Sequence, residues 1–123
     1  MKKWVIGVGV IILLVVVYLV WYAYSSPLRM SASEAKRQIK SQEIKRIVDV
    51  RTDAEVEALG SYPNALHIPA AQIKARAAAT LGQNDSILLY CNSGQRARAA
   101  AENLQSMGYS NVHYIAEPYT FLL

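Results

Sequence analysis

The chain has 123 residues, a formal net charge of +4, and a composition that is 53% hydrophobic and only 18% charged. Its single cysteine excludes an intrachain disulfide framework and a cysteine-based zinc site. Lys2 and Lys3 are the only charges before residue 27, so the remainder is +2, too weakly basic for a dedicated nucleic-acid binder.

Trp4 to Tyr24 carries no charge. A helix of that length rises roughly 30 Å, the thickness of a bilayer's hydrocarbon core. The β-branched run Val15–Val17 favours a strand in water, but in lipid the backbone must satisfy its own hydrogen bonds, so a helix is expected. Trp4 stands at one end, and Tyr18, Trp21, Tyr22 and Tyr24 at the other, as interfacial belts do. A cleaved signal peptide is the competing reading, with Ala23-Tyr24-Ser25 as the cut. The long apolar run and the crowded aromatics favour a retained anchor. Residues 1–26 are therefore expected to anchor the chain in a bilayer, and residues 27–123 to form one domain close to its surface. A short basic N-terminus before a first apolar helix usually stays cytoplasmic. That places the domain on the extracytoplasmic side, the periplasm if the cell is bacterial.

Leu28-Arg29-Met30 reads as a short edge strand. Ser31, with Glu34 three residues on, is a capping-box signature, which predicts a helix over 31–40. Ile47-Val48-Asp49-Val50 reads as a buried strand. Asp53 is expected to cap a short helix that Gly60 stops. Ala65-Leu66-His67-Ile68 lies between Pro63 and Pro69 as a second strand, followed by an alanine-rich helix over 70–81. Ser86–Tyr90 is the strongest strand in the chain. Residues 95–107 form a helix with Ala97, Ala100, Ala101 and Leu104 on one face and Gly108 as its stop. Val112–Ile115 is the last strand. Alternation of strand and helix predicts an α/β domain with a parallel sheet.

The chemistry concentrates at Tyr90-Cys91-Asn92-Ser93-Gly94-Gln95-Arg96. A buried strand ends at a cysteine, a small polar loop follows, and a helix begins. Ligand sites of open parallel sheets lie beyond the carboxyl ends of the strands. The unpaired N–H groups and positive pole of a helix N-terminus favour a thiolate over a thiol, and Arg96 adds a full charge. A lone cysteine ending a core strand is ordinarily one more apolar side chain. The loop, the helix start and Arg96 together point instead to a nucleophile in an anion-binding cradle. His67 and His113 have no metal-like spacing to acidic or sulfur partners and read as packing or surface residues. Arg98 reads as a solvated helix residue, and Asp49 with Arg51 as an ion pair bracing the strand ends.

The stretch Cys91–Arg96 resembles the Cys-x-x-Gly-x-Arg active-site loop of the rhodanese-type sulfurtransferases. Val48-Asp49-Val50-Arg51 with Glu55, and Gly60-Ser61-Tyr62-Pro63-Asn64-Ala65-Leu66-His67-Ile68-Pro69, resemble two further segments of that family in the same order. The resemblance implies a five-stranded parallel sheet flanked by helices. It implies a thiosulfate sulfurtransferase in which Cys91 and Arg96 are catalytic and residues 92–95 bind substrate. It gives Asp49 and Arg51 a secondary role at the rim. The donor is then a small sulfane-sulfur compound such as thiosulfate, the acceptor cyanide or a thiol, and no metal or organic cofactor takes part. Asn92 stands where thiosulfate-using members often carry Arg or Lys, Ser61 replaces a histidine, and Asn64 a glycine. The alternatives are a non-catalytic interaction module on the same fold, or a relative of the cysteine phosphatases or arsenate reductases. Phosphatases of this type need Cys-x5-Arg, one loop residue more than is present. The reductases need a second cysteine, which the chain lacks.

Overall fold

The computed structural model describes residues 2–123. Helix α1 runs Lys3–Tyr24, and its stretch Lys3–Tyr22 is long and apolar enough to cross a membrane. None of that stretch is buried by the domain. A helix apolar on every side and exposed along that whole stretch is not a core helix of this fold. The side chains of Ala23 and Tyr24, and with them the outermost ring of the expected belt, lie outside the described residues.

The chain then continues through α2 (Ala32–Lys40), β1 (Arg46–Asp49), α3 (Asp53–Leu59) and β2 (Leu66–His67). A short 3-10 turn, Ala70–Gln72, leads into α4 (Ile73–Thr80), β3 (Ile87–Tyr90), α5 (Gln95–Ser106) and β4 (Val112–Tyr114). Ser31 caps α2 by accepting the Glu34 N–H at 3.2 Å, as the sequence signature predicts. The cap of α3 is Thr52 rather than Asp53. The Thr52 hydroxyl accepts from the Glu55 N–H, and the Glu55 carboxylate accepts from the Thr52 N–H, a complete capping box that leaves Asp53 inside the first turn. The single alanine-rich helix expected over 70–81 is divided, with its first turn wound as 3-10.

All strands pair in parallel in the order β2-β1-β3-β4. The sheet therefore has four strands, not the five expected. The edge segment Leu28–Met30 reaches β4 only through a bridge between Arg29 and Tyr114. Pro27 before it and the Ser31 cap after it leave too few residues for a ladder, although Met30 donates to the Tyr114 carbonyl and Tyr114 to that of Leu28.

Side chains of β3 alternate between two cores, as strand geometry requires. Ile87 and Leu89 pack with α4 and α5 through Ile73, Ala77, Ala97, Ala101 and Leu104. Leu88 and Tyr90 pack on the opposite face with Met30, Ala35, Ile115 and Leu122. From β1 the chain moves outward to β2, then returns across β1 to β3 and continues to β4. The reversal puts the carboxyl ends of β1 and β3 side by side, and a crevice opens there in folds of this kind.

Candidate active site

Cys91 directly follows β3 and is buried, with 1% of its surface exposed. Its Sγ accepts the backbone N–H of Gly94 at 3.1 Å. Gly94 is the N-cap of α5, at φ +94°. A Cβ there would lie 2.7 Å from the Ala116 Cα, so both the left-handed backbone and the space demand glycine. The loop thus turns the Gly94 N–H toward the sulfur at the positive end of a twelve-residue helix.

Across the crevice stands Glu55, in the first turn of α3. Arg96 donates Nη1 to Glu55 Oε1 at 2.6 Å and Nη2 to Oε2 at 2.9 Å. The Asn92 side-chain amide donates to Oε2 at 2.8 Å, and the Thr52 hydroxyl to Oε1 at 3.0 Å. The Arg96 hydrogen bonds hold the Glu55 carboxyl well below the usual carboxylate range, at about 2. Glu55 in turn raises the basicity of Arg96, and the Cys91 sulfur acts on the same guanidinium in the same direction. The Arg96 guanidinium is therefore fixed by Glu55. The Asn92 amide is committed to Glu55, and both ends of the loop are held by one carboxylate.

Below this layer, Asp49 and Arg51 form an ion pair at 2.6 Å, with 0% and 1% of their side chains exposed. Arg51 Nε adds bonds to both Asp49 oxygens, and Nη2 donates to the Gly60 carbonyl. Tyr90 donates its hydroxyl to Asp49 Oδ2 at 2.9 Å and accepts the Tyr62 N–H at 2.9 Å. The guanidinium lies beside the paired rings of Tyr90 and Tyr119, 5.5 and 5.3 Å from their centroids, which are 5.7 Å from each other. Asp49 holds Arg51 more basic than an isolated arginine, and burial pushes the Tyr90 phenol up. These contacts brace the loops after β1. His67 joins that frame through a 2.7 Å hydrogen bond between Nε2 and the Arg51 carbonyl. Asn64 adopts φ +65°, the left-handed turn that an asparagine tolerates where a glycine is usual.

Ser93 and Gln95 are exposed on the far side of the loop, and with Gly94 they line a cavity of about 460 Å³. Cys91 does not line it. Arg98 lines it and is not the solvated residue expected. Its guanidinium stacks 3.9 Å from the Tyr22 ring centroid, donates to the Tyr22 carbonyl and pairs with Glu102 at 2.9 Å. Two functional features are thus missing from the sequence reading: the clamp made by Glu55, and the contact of α5 with the end of α1. The Thr52-x-x-Glu55 capping box signals where Glu55 sits, but nothing local says what it meets. Among the described residues no group of three or more His, Cys, Asp or Glu side chains could hold a metal ion.

The family model for the rhodanese-like domain matches residues 31–120. A putative sulfur carrier protein, YrkF of Bacillus subtilis, is 34% identical over 88 residues, which are 72% of this chain and 46% of that one. The thiosulfate sulfurtransferase PspE of Escherichia coli is 35% identical over 66 residues, 53% of this chain and 62% of that one. The chain thus spans about half to two thirds of the length of these relatives. Among solved structures, the human single-domain sulfurtransferase TSTD1 superposes with a TM-score of 0.66 at 25% identity, covering 78% of this chain and 95% of that one.

Proposed function

The chain belongs to the rhodanese-like domain family, and from that premise we propose that it is a membrane-anchored sulfurtransferase carrying sulfane sulfur on Cys91. The observation that carries this reading is the Gly94 N–H aimed at Cys91 Sγ at the start of α5. A hydrogen bond to sulfur at a helix N-terminus supports a thiolate nucleophile. The thiolate attacks the outer, sulfane sulfur of a donor such as thiosulfate. A Cys91 S–S bond forms, the donor's S–S bond breaks, and its electron pair leaves with sulfite. Loop N–H groups and Arg96 stabilise the resulting persulfide. Cyanide or a cellular thiol then attacks the outer sulfur and returns the cysteine to its thiolate.

Residues 1–26 are assigned as the anchor and residues 27–123 as the catalytic domain. The short Met1-Lys2-Lys3 end stays in the cytoplasm, which puts the domain on the other side. The exposure of α1 along its whole apolar length supports a lipid environment for it.

The test is sulfur transfer from thiosulfate to cyanide by the full chain in detergent or lipid. Ping-pong kinetics that disappear in Cys91→Ser are expected. Hydrolysis of an aryl phosphate with no sulfur transfer would overturn the proposal.

A further inference from the structure

Helix α1 ends without a basic residue in its last turn, and Arg98 of α5 supplies one from outside. The last carbonyls of a helix lack intrahelical partners and form its negative pole. Arg98 donates to the Tyr22 carbonyl and sets its guanidinium 3.9 Å from the Tyr22 ring centroid. It also pairs along its own helix with Glu102, yet only 15% of its side chain is exposed. Arg37, which pairs along α2 in the same manner, keeps 57%. The difference is the cover that the end of α1 gives Arg98. The chain makes a second tie. Ser26 is buried, its carbonyl accepts from the Arg29 N–H, and Met30 and Leu28 exchange backbone hydrogen bonds with Tyr114 of β4. A covalent connection alone is a swivel. Two ties on different elements, β4 and α5, fix the direction of α1 against the domain.

That direction has a consequence for the cysteine loop. Tyr22 and Arg98 line the same cavity of about 460 Å³ as Ser93, Gly94 and Gln95, so the loop lies within a cavity's breadth of the end of α1. The turn before β3 lies far from it. The Gln83 side-chain amide donates to the Met107 carbonyl at 3.4 Å, which packs that turn on the opposite end of α5. Along the helix axis, Arg98 and Met107 are about 13 Å apart. The parallel sheet agrees, since β3 carries the chain from the Asn84 turn at its amino edge to Cys91 at its carboxyl edge. Tyr22 ends the stretch that is apolar enough to cross a membrane. The hydrocarbon core stops where such a stretch stops, and the headgroup layer begins there.

We infer that the Arg98–Tyr22 contact docks the carboxyl edge of the sheet on the bilayer surface, with the cysteine loop beside the headgroups and the Asn84 turn facing away. The inference rests on the reading of α1 as a membrane anchor. Arg98 is in this role a positioning residue. It sets the angle of the domain, so that donor and acceptor meet Cys91 next to the membrane and not at the far side of the domain.

The experiment uses the full chain in phosphatidylcholine nanodiscs, with and without a lipid that carries a gadolinium chelate on its headgroup. In a Cys91→Ser background, a nitroxide is placed on Gln95→Cys or on Asn84→Cys, both exposed positions. The gadolinium lipid should shorten the relaxation time of the Gln95 label several-fold more than that of the Asn84 label. Arg98→Ala should abolish this contrast. Tyr22→Leu leaves α5 intact and the apolar stretch unbroken, and by removing the ring should lower the contrast. A chain that does not copurify with the discs overturns the anchor reading and this inference with it. Equal shortening at the two sites in copurifying chain, or more at Asn84, overturns this inference alone. An unchanged contrast in either folded variant overturns the role given to Arg98.

Discussion

Glu55 and Arg96, 41 positions apart, meet in a two-pronged ion pair at 2.6 and 2.9 Å across the crevice between the ends of β1 and β3. The pair joins the first turn of α3 to the first turn of α5, and Asn92 is drawn into it. It fixes the guanidinium at the mouth of the cysteine loop before any donor arrives.

Loss of the clamp should therefore cost activity more than stability. Glu55→Gln is expected to lower kcat/KM for thiosulfate roughly tenfold to a hundredfold, the usual penalty for a misplaced binding group. The melting temperature should move little, because a half-exposed ion pair contributes little to folding. Glu55→Asp should recover part of the loss. Unchanged kcat/KM in Glu55→Gln would mean that Arg96 needs no support.

The same pair sets a pH expectation. The folded Glu55 carboxyl is depressed from 4.5 to about 2, chiefly by the Arg96 hydrogen bonds. What it adds to stability is thus fully present above the unfolded value. It falls away progressively as pH drops below about 4.5 and is gone once pH has passed through about 2. A carbon-detected titration of the Glu55 carboxyl should find it ionised throughout the range in which the enzyme turns over. The acid limb of kcat/KM should keep its position in Glu55→Gln. A Glu55 titration near 4.5 would contradict the geometry.

Asp49 and Arg51 answer to a different rule, since both are wholly buried. Removing one partner strands the other charge. Arg51→Met should cost about 3–5 kcal/mol in urea denaturation, and Asp49→Ala a similar amount. A cost below about 1 kcal/mol, the value of an exposed pair, would mean that water reaches the site.

Gly94→Ala tests the loop itself. The new methyl would lie 2.7 Å from the Ala116 Cα at a backbone angle that side chains rarely adopt. The loop must move, and the N–H bond to Cys91 should be lost. Sulfur transfer should fall sharply while the far-ultraviolet circular dichroism is kept. Full activity would show that this N–H is dispensable.

How far the site can be read from the sequence depends on whether each contact is local. The strand–cysteine–loop–helix order and the Gly94 turn are contiguous, so Cys91 and its helix start are legible. The strand β1 and the caps of α2 and α3 are legible to within a residue, although Thr52 competes with Asp53 for one cap because both are good capping residues. The edge strand is only a bridge, since pairing length depends on Pro27 and Ser31 and not on the propensities of Leu28–Met30. Glu55 meeting Arg96 depends on β1 and β3 being neighbours, which no local pattern encodes. Arg98 on Tyr22 joins residues 76 positions apart, and an arginine on a helix reads as solvated until its neighbour is known.

The side of the membrane is testable, though not through Cys91, whose thiol is buried. In a Cys91→Ser background, Asn84→Cys places a thiol on an exposed turn. A membrane-impermeant maleimide should label it in intact cells, at full-length mass. Labelling only after lysis would put the domain in the cytoplasm. A labelled chain shortened by about 25 residues would make residues 1–26 a signal peptide.

The central claim is that Cys91 carries the sulfur, and intact-protein mass spectrometry tests it most directly. The full chain, reduced and then incubated with thiosulfate, should gain the mass of one sulfur atom on the peptide containing Cys91, with release of sulfite. Cyanide should then remove that mass as thiocyanate, and Cys91→Ser should gain nothing. No mass gain in the folded wild-type chain, or an equal gain in Cys91→Ser, would contradict the account.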